Sequence, residues 1–233
     1  MIISHQHQFI FLKTQKTAGT SVELALSNLC GSSDVITPVW EEDRGTGAFK
    51  EPQNYEIPKQ FQPRLGSFYH LLGFSKKNWA GLRYYEHISA TDLRARMDPD
   101  IFDSYKKVTI VRNAWDREVS LYYWVTRNFK NAPTFHDFAC RYDSNPDRKT
   151  FQIYSIDGHV VADTILRFES LAAHYAAFVS SLGIADVTSL PNAKGSFRKV
   201  GSQDYRSLYD KRSIEAVRNR QRREIEYFNM TFD

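Results

Sequence analysis

Short apolar runs alternate along the chain with segments in which apolar residues recur at helical spacing. Residues 8–13 contain a continuous apolar run of the kind that forms a strand buried on both faces of a parallel sheet, and residues 108–111 and 164–168 contain two more. Helical periodicity follows each of these runs. Strands that alternate with helices predict an α/β fold with a mainly parallel central sheet flanked by helices.

Capping and stop signals bound several of the predicted helices. The first helix is expected to stop at Gly31, because glycine is common just past helix C-termini. Ser89 and Asp92 have the spacing of a capping box, and Thr134 and Asp137 have the same spacing before another short helix. The other helical patterns cover residues 75–84, residues 115–129, a stretch that ends at Gly183, and residues 211–228.

The length and composition fit one folded domain. The chain has 233 residues, of which 42% are hydrophobic and 14% aromatic, so it can bury a full core and is not a disordered chain. We expect a single domain over residues 1–233, with residues 31–66 and 125–150 as excursions from it. Cys30 and Cys140 lie far apart without a CxxC partner, which predicts reduced packing residues.

Membranes and nucleic acids are not expected partners. No apolar run approaches the roughly 20 residues that a helix needs to cross a bilayer. The first residues lack the basic head and long apolar stretch of a secretory signal, so a cytoplasmic location is expected. The net charge is +4, with 31 basic residues mixed among 27 acidic ones. This mild excess does not establish the concentrated basic face that non-specific nucleic-acid binding needs, whereas a small anion needs only a few cations in one pocket.

A first candidate anion site lies between the first strand and the first helix. The N-terminus of a helix offers unpaired N–H groups and a partial positive charge to an anion, and Lys16 adds a full charge. Gly19 allows the backbone to approach a ligand closely, and the neighbouring hydroxyl groups are further donors. The residues of this site are Lys16, Thr17, Ala18, Gly19, Thr20 and Ser21. An ordinary polar turn that caps the helix is the alternative interpretation.

A second candidate anion site lies at the end of the second strand. Arg112 follows residues 108–111 at the strand end where ligands bind in open α/β sheets. Ser120 comes eight residues later, a little over two helical turns, so it can face the same side as the arginine. An arginine fork beside a hydroxyl suits a second phosphate group. The alternative is that Arg112 pairs with a nearby carboxylate such as Asp116.

Both segments resemble the donor-binding motifs of sulfotransferases. Residues 16–21 (KTAGTS) resemble the 5′-phosphosulfate loop of that family. Residues 111–117 (VRNAWDR), continued to Ser120, resemble its 3′-phosphate motif, usually VRNPWDR. Ala114 in place of the proline is the sole departure in that motif, and a helix can begin without that proline.

The resemblance is to the bacterial branch related to carbohydrate and 2-O-sulfotransferases. It continues through residues 166–169 and the region of Tyr209 and Asp210, and it covers most of the chain except roughly residues 31–66. It implies a P-loop-like sulfotransferase fold in which the excursions are on the acceptor side. The implied donor is 3′-phosphoadenosine-5′-phosphosulfate (PAPS), and adenosine 3′,5′-bisphosphate (PAP) is the product.

The implied reaction moves a sulfuryl group in line to a hydroxyl of a small metabolite, natural product or glycan. In that reaction Lys16 would stabilise the departing 5′-phosphate, while Arg112 and Ser120 would anchor the 3′-phosphate. No metal would be required. PAPS carries phosphate-type charge at both ends of its ribose, so two separate anion sites suit it.

The base is expected to be a histidine. Residues 85–90 resemble the stretch that carries the catalytic histidine in the related 2-O-sulfotransferases, which points to His87. An imidazole with an ordinary pKa near ~6.5 can accept a hydroxyl proton at neutral pH. Glu86 is the second candidate, because some relatives use a glutamate for this step, and His70 is the third.

The adenosine and acceptor contacts follow from the same resemblance. In the family the stretch before the C-terminal helix folds over the adenosine, so here Arg198 or Lys199 would touch the 3′-phosphate and Phe197 would stack on the base. A solvated basic loop is the alternative. The acceptor would use the variable segments 38–70 and 125–150. Candidates for a sugar-stacking platform, of which at least one must face the core, are Tyr122, Tyr123 and Trp124.

Two other classes of function stay open. A P-loop kinase or other phosphotransferase would use ATP and magnesium, but the Walker pattern GxxxxGK[ST] is absent, because the lysine of the first candidate site precedes its only glycine. A nucleic-acid-binding module would use the basic helix over residues 211–228. Glu215, Glu224 and Glu226 interrupt its positive charges and favour a surface helix with paired charges.

Overall fold

A central sheet flanked by helices organises the chain, of which the computed structural model describes residues 1–39, 49–57, 82–141, 150–185, 189–191 and 204–233. In these ranges five strands form the sheet and two more form a separate hairpin. The strands are β1 (Ile2–Ser4), β2 (Phe9–Leu12), β3 (Val35–Ile36), β4 (Lys106–Val111), β5 (Ser155–Ile156), β6 (His159–Val160) and β7 (Thr164–Arg167). The architecture is α/β, as the sequence predicted.

The sheet is mixed rather than mainly parallel. Its strand order is β3-β1-β2-β4-β7, in which β2 and β7 are parallel to β4, whereas β1 is antiparallel to both β2 and β3. Only residues 5–8 connect β1 to β2, and so short a turn can join only antiparallel strands. The three strands that the sequence predicted do run parallel. Consequently β2 and β4 end at the same edge of the sheet.

Eight α-helices lie in the described ranges, together with three short 3₁₀ turns at Thr150–Ile153, Phe168–Ser170 and Tyr205–Leu208. The α-helices are α1 (Gly19–Ser27), α2 (Ala90–Arg96), α3 (Pro99–Ser104), α4 (Ala114–Thr126), α5 (Phe135–Arg141), α6 (Leu171–Ser181), α7 (Lys211–Arg220) and α8 (Arg222–Phe228). The predicted cap of α2 is confirmed, because the Ser89 hydroxyl accepts the Asp92 N–H at 3.0 Å. The predicted cap of α5 is confirmed by the same contact between Thr134 and Asp137, at 3.1 Å.

Four predicted helices differ from the structure. The first, expected to stop at Gly31, ends at Ser27, and beyond it the Leu29 N–H makes a tight-turn hydrogen bond of 3.0 Å to the Leu26 carbonyl. The helix expected over residues 115–129 ends at Thr126, and Phe129 beyond it is half exposed, so no apolar contact holds a further turn. The helix expected over residues 211–228 is divided at Gln221, whose backbone (φ −103°, ψ 18°) leaves the helical region. Of the pattern at 75–84, residues 75–81 lie outside the described residues and residues 82–84 are not helical.

The two faces of the sheet bury separate apolar clusters. Alternate residues of β2 point to opposite faces, so Ile10 and Leu12 join the cluster covered by α2 and α3. Phe9 and Phe11 join the cluster covered by α1 and α6. A third cluster around Trp115 packs α4 against α5 and α7. This packing fixes the ends of β2 and β4, where the two candidate anion sites begin.

The expected excursions are only partly described. Residues 40–48, 58–66 and 142–149 lie outside the described ranges. Residues 49–57 run beside β3, where Gln53 and Ile36 exchange two backbone hydrogen bonds of 3.0 Å. Within the part of the chain that the structure describes, no helix has the length and apolar character needed to cross a membrane.

Candidate functional site

The loop between β2 and α1 is held against β4 by its threonines. The Thr14 hydroxyl donates to the backbone carbonyl of Ile110 at 2.6 Å and lies 2.8 Å from the Thr17 hydroxyl. Lys16 and Ala18 have left-handed backbone conformations, with φ of 57° and 61°. This backbone conformation is strained in residues other than glycine, so the surrounding contacts have to maintain the conformation of the loop.

Gly19 is required by the packing of this loop on itself. A Cβ atom at position 19 would lie 2.9 Å from Lys13 Cγ and 3.1 Å from the Thr14 carbonyl oxygen. From the sequence, this glycine was expected to allow the close approach of a ligand. In the structure it is the Lys13 side chain that occupies the space beside its Cα.

The first turn of α1 keeps the features of an anion cradle. Its N-cap residue is Ala18, whose methyl group cannot accept hydrogen bonds from the N–H groups of that turn. The hydroxyl groups are less available than the sequence suggested, because Thr17, Thr20 and Ser21 are all buried. The Thr17 hydroxyl is bonded within the loop. The other donor groups at this turn are its backbone N–H groups and the Lys16 ammonium.

Arg112 joins the two candidate anion sites. Its Nη1 donates to the backbone carbonyl of Lys16 at 2.9 Å, and its Nε donates to Asp116 at 2.5 Å. The guanidinium carbon lies 3.9 Å from the centre of the Phe168 ring, and the residue is only 5% exposed. The pairing with Asp116 that the sequence left open is therefore present, and it coexists with a direct contact to the first loop.

The start of α4 is capped by its own sequence. The Asn113 side chain accepts the N–H groups of Trp115 and Asp116 at 3.1 and 3.4 Å, so the helix begins at Ala114 without a proline. The Asn113 N–H donates to Glu169 at 2.9 Å. Ser120 lies half-buried on the same helix.

The sequence analysis assigned no site role to Phe168 or Glu169. Phe168 stacks on Arg112 and Glu169 binds the N–H of Asn113, so both support the second candidate site. The one sequence feature that could have pointed to these two residues is that residues 166–169 fall within the sulfotransferase resemblance.

His87 lies against the first loop in a defined orientation. Its backbone is left-handed, with φ of 61°, and its Nδ1 is 2.9 Å from the Lys13 carbonyl oxygen. A carbonyl can only accept, so Nδ1 carries the proton and Nε2 presents a lone pair. Burial lowers the pKa of His87 to about 4, so the ring is neutral at pH 7. A neutral imidazole with a free Nε2 is the form that a general base requires.

A buried ion cluster, formed by Glu23, Lys13 and Glu86, lies directly beside His87. The Lys13 ammonium contacts Glu23 Oε2 at 2.6 Å and also pairs with Glu86. Glu23 in turn binds the Thr37 hydroxyl at 3.1 Å and the amino group of Met1. Burial, the largest single effect, would raise the pKa of Glu86, but the charge and hydrogen bond of Lys13, together with His87 and the amino terminus, outweigh it and lower that pKa to about 2. The sequence analysis assigned no role to Glu23 or Lys13.

Two residues of the expected sugar-stacking platform, Tyr122 and Trp124, lie in different surroundings. The Tyr122 ring packs on Phe135 and Phe138, and its hydroxyl donates to the Pro133 carbonyl at 2.9 Å, so Tyr122 belongs to the core side of α4. Trp124 faces the first candidate site instead, because Lys16 Nζ lies 5.3 Å from its ring centre.

Other predicted contacts fall outside the described residues. These are His70, Phe197, Arg198 and Lys199. In the described ranges no group of three or more His, Cys, Asp or Glu residues could hold a metal ion.

The chain matches no protein-family model, no curated protein and no solved structure. The features of the chain that bear on its function are therefore the sequence motifs and the geometry of the two strand-to-helix junctions.

Proposed function

We propose that this protein is a PAPS-dependent sulfotransferase that acts on a hydroxyl acceptor, a small metabolite, natural product or glycan. We also propose that the α/β architecture is the P-loop-like sulfotransferase fold. One observation carries it: the backbone of the first loop contacts His87 through the Lys13 carbonyl and Arg112 through the Lys16 carbonyl, each at 2.9 Å. The candidate base, the candidate transfer lysine and the candidate 3′-phosphate arginine thus belong to one connected structure.

The donor would lie across both junctions. The N–H groups at the start of α1 and the Lys16 ammonium would receive the 5′-phosphosulfate, and Arg112 with Ser120 would receive the 3′-phosphate. Arg198, which lies outside the described residues, would complete the 3′-phosphate site. Sulfuryl transfer needs in-line placement, a base and a cation at the leaving group, and these side chains can supply all three without a metal.

The base would be His87 rather than Glu86. The hydrogen bond to the Lys13 carbonyl leaves the lone pair on Nε2, which can take the acceptor proton. Glu86, whose pKa is about 2, is a much weaker base at neutral pH. His70 keeps its place as a further candidate outside the described residues.

A thermal-shift comparison tests the donor. Purified protein is melted with PAP, with ADP and magnesium, and with a nucleic-acid oligomer. A ligand at 100 times its dissociation constant should stabilise the fold by about 2.7 kcal/mol. We expect PAP to raise the melting temperature without metal and the other two ligands to have little effect.

Mass spectrometry tests the reaction itself. Candidate hydroxyl compounds are incubated with PAPS and enzyme, and products are searched for the mass gain of one SO₃ group. A larger melting shift with ADP and magnesium than with PAP would favour a phosphotransferase, and a shift with the oligomer alone would favour a nucleic-acid-binding module.

A further inference from the structure

The buried ion cluster has no part in the donor site described above, although it adjoins His87. The Lys13 side chain is 2% exposed and the Glu23 side chain 1%. Removing charges from water costs several kcal/mol per ion, and their mutual attraction only roughly offsets that cost. Such a cluster is weak support for stability, so its charges are better explained by something that they do for a neighbour.

Residues of the cluster lie close to both ring nitrogens of His87. The backbone carbonyl of Lys13 accepts the Nδ1–H at 2.9 Å, and Glu86 Oε1 lies 3.6 Å from Nε2. The same Glu86 carboxylate is paired with the Lys13 ammonium. Lys13 therefore contacts the ring on one side through its backbone and holds, through its side chain, the carboxylate on the other side.

We propose that Lys13 and Glu86 are positioning residues for His87. Lys13 fixes the ring tautomer through its carbonyl oxygen and keeps Glu86 charged beside Nε2, where the carboxylate stabilises the imidazolium that forms during transfer. The inference rests on the proposed function and adds to it a division of labour between two adjacent residues. His87 takes the proton, and Glu86 supplies a fixed negative charge.

The proposed transfer breaks two bonds and forms two. The acceptor O–H bond breaks and its proton moves to Nε2 of His87, while the acceptor oxygen forms a bond to sulfur. The bond between sulfur and the 5′-phosphate oxygen breaks, and its electron pair stays on the phosphate. The separation of 3.6 Å leaves the Nε2 lone pair for the acceptor and still places the new imidazolium next to a carboxylate.

The charges around the ring alternate in sign. In the described ranges Glu86 comes from the ring's own segment, Lys13 from the end of β2, and Glu23 from α1 behind Lys13. The Met1 amino group lies behind Glu23. The charge that faces Nε2 is therefore negative, which is the sign that favours the protonated ring.

Glu86→Gln removes the negative charge but keeps the size of the side chain. The amide oxygen can still accept a hydrogen bond from the Lys13 ammonium. We expect the acidic limb of kcat/KM against pH to move about one unit to lower pH, since removing a neighbouring negative charge lowers the pKa of His87. A weaker base should also lower the plateau about tenfold. Glu86→Asp keeps the charge, so its limb should stay near that of the wild type. Glu215→Gln, which removes a half-exposed charge paired with Arg218, is the matched control and should behave as wild type.

Two kinetic outcomes would overturn the inference. A plateau that falls in Glu86→Gln without movement of the acidic limb would give Glu86 a merely structural role. A loss of turnover as complete as that in His87→Asn would make Glu86 the base.

A measurement without substrates tests the positioning role of Glu86 and Lys13 separately from the proposed function. Nitrogen-15 NMR of the His87 ring should show the Nδ1–H tautomer at neutral pH and a lower titration midpoint in Glu86→Gln. An Nε2–H tautomer, or identical midpoints in the two proteins, would contradict the positioning role even if PAP binds. Failure to bind PAP together with the expected NMR pattern would contradict only the proposed function.

Discussion

At the scale of single residues, the site depends on left-handed backbone at positions that carry functional side chains. Lys16, Ala18 and His87 have φ between 57° and 61°, and each such conformation costs on the order of 1–3 kcal/mol outside glycine. The contacts that hold them are long-range: Arg112 binds the Lys16 carbonyl, and the Lys13 carbonyl binds the His87 ring. Strain of this kind is not visible in a sequence that places no glycine or asparagine there.

Replacing Lys16 should stop the reaction and spare the fold. Lys16→Met keeps the length of the side chain but removes the charge at the leaving group, so kcat should fall about 100- to 1,000-fold. The melting temperature should stay close to that of the wild type, because Lys16 is only half-buried and the methionine side chain can still pack on the Trp124 ring. Steady-state kinetics and a thermal melt measure both effects. An unchanged kcat would contradict the role given to Lys16.

Replacing Arg112 should weaken donor binding and also loosen the first loop. Arg112→Lys keeps the charge but cannot reach Asp116, the Lys16 carbonyl and the Phe168 face together. We expect the affinity for PAP to fall about tenfold, measured by titration calorimetry. Arg94→Lys, at a half-exposed arginine paired with Asp103, is the control. Equal PAP affinity in both variants would contradict the anchoring role of Arg112.

At the scale of elements, the sequence located three strands of the sheet and most of the described helices, but not the way in which the last helices are attached. Periodicity and caps predicted β2, β4, β7 and the starts of α2 and α5 because those signals are local. The division at Gln221 had no such signal. It places Glu224 of α8 against Arg117 of α4, more than 100 residues earlier.

The pair between Arg117 and Glu224 should be the strongest electrostatic link between α4 and α8. Arg117 binds Glu224 with two hydrogen bonds, the Tyr154 hydroxyl donates to the same carboxylate, and both charged side chains are at most 5% exposed. Glu224→Gln leaves the Arg117 charge buried and uncompensated, so the free energy of unfolding should fall by about 3–5 kcal/mol.

Urea denaturation of the Glu224→Gln variant measures that loss. Glu226→Gln lies on the same helix but breaks an exposed pair with Arg222, and it should cost at most about 1 kcal/mol. Equal stability of the two variants would show that the buried pair does not hold α8 in place.

At the scale of the whole molecule, the candidate site makes stability depend on pH in the acid range. In the folded protein the pKa of His87 is about 4 and that of Glu86 is about 2, against ordinary values of 6.5 and 4.5. Between pH 6.5 and about 4 for His87, and between pH 4.5 and about 2 for Glu86, the unfolded chain binds more protons than the folded protein. The free energy of unfolding therefore falls as the pH falls, first through the histidine interval and then through the glutamate interval.

His87→Asn should remove the first part of that decline. Asparagine tolerates the left-handed backbone and can donate to the Lys13 carbonyl, so the variant should fold. Between about pH 6.5 and pH 4 its free energy of unfolding should vary about 2–3 kcal/mol less than that of the wild type. Urea melts at several pH values measure this difference. His159→Asn, at an exposed histidine, should keep the wild-type profile; a wild-type profile in His87→Asn would contradict the buried neutral ring.

The sequence by itself determined the α/β class, the three parallel strands and the two strand-to-helix junctions with Lys16 and Arg112, and its resemblance to a known family pointed to His87 ahead of α2. It could do so because apolar runs, caps and motifs are encoded by residues close together in the chain. Only the tertiary structure decided the antiparallel pairing of β1 with β3, the contact of Arg112 with the first loop, and the buried ion cluster beside His87. Those features join residues many positions apart, and their energies depend on burial and on partners that no local pattern specifies.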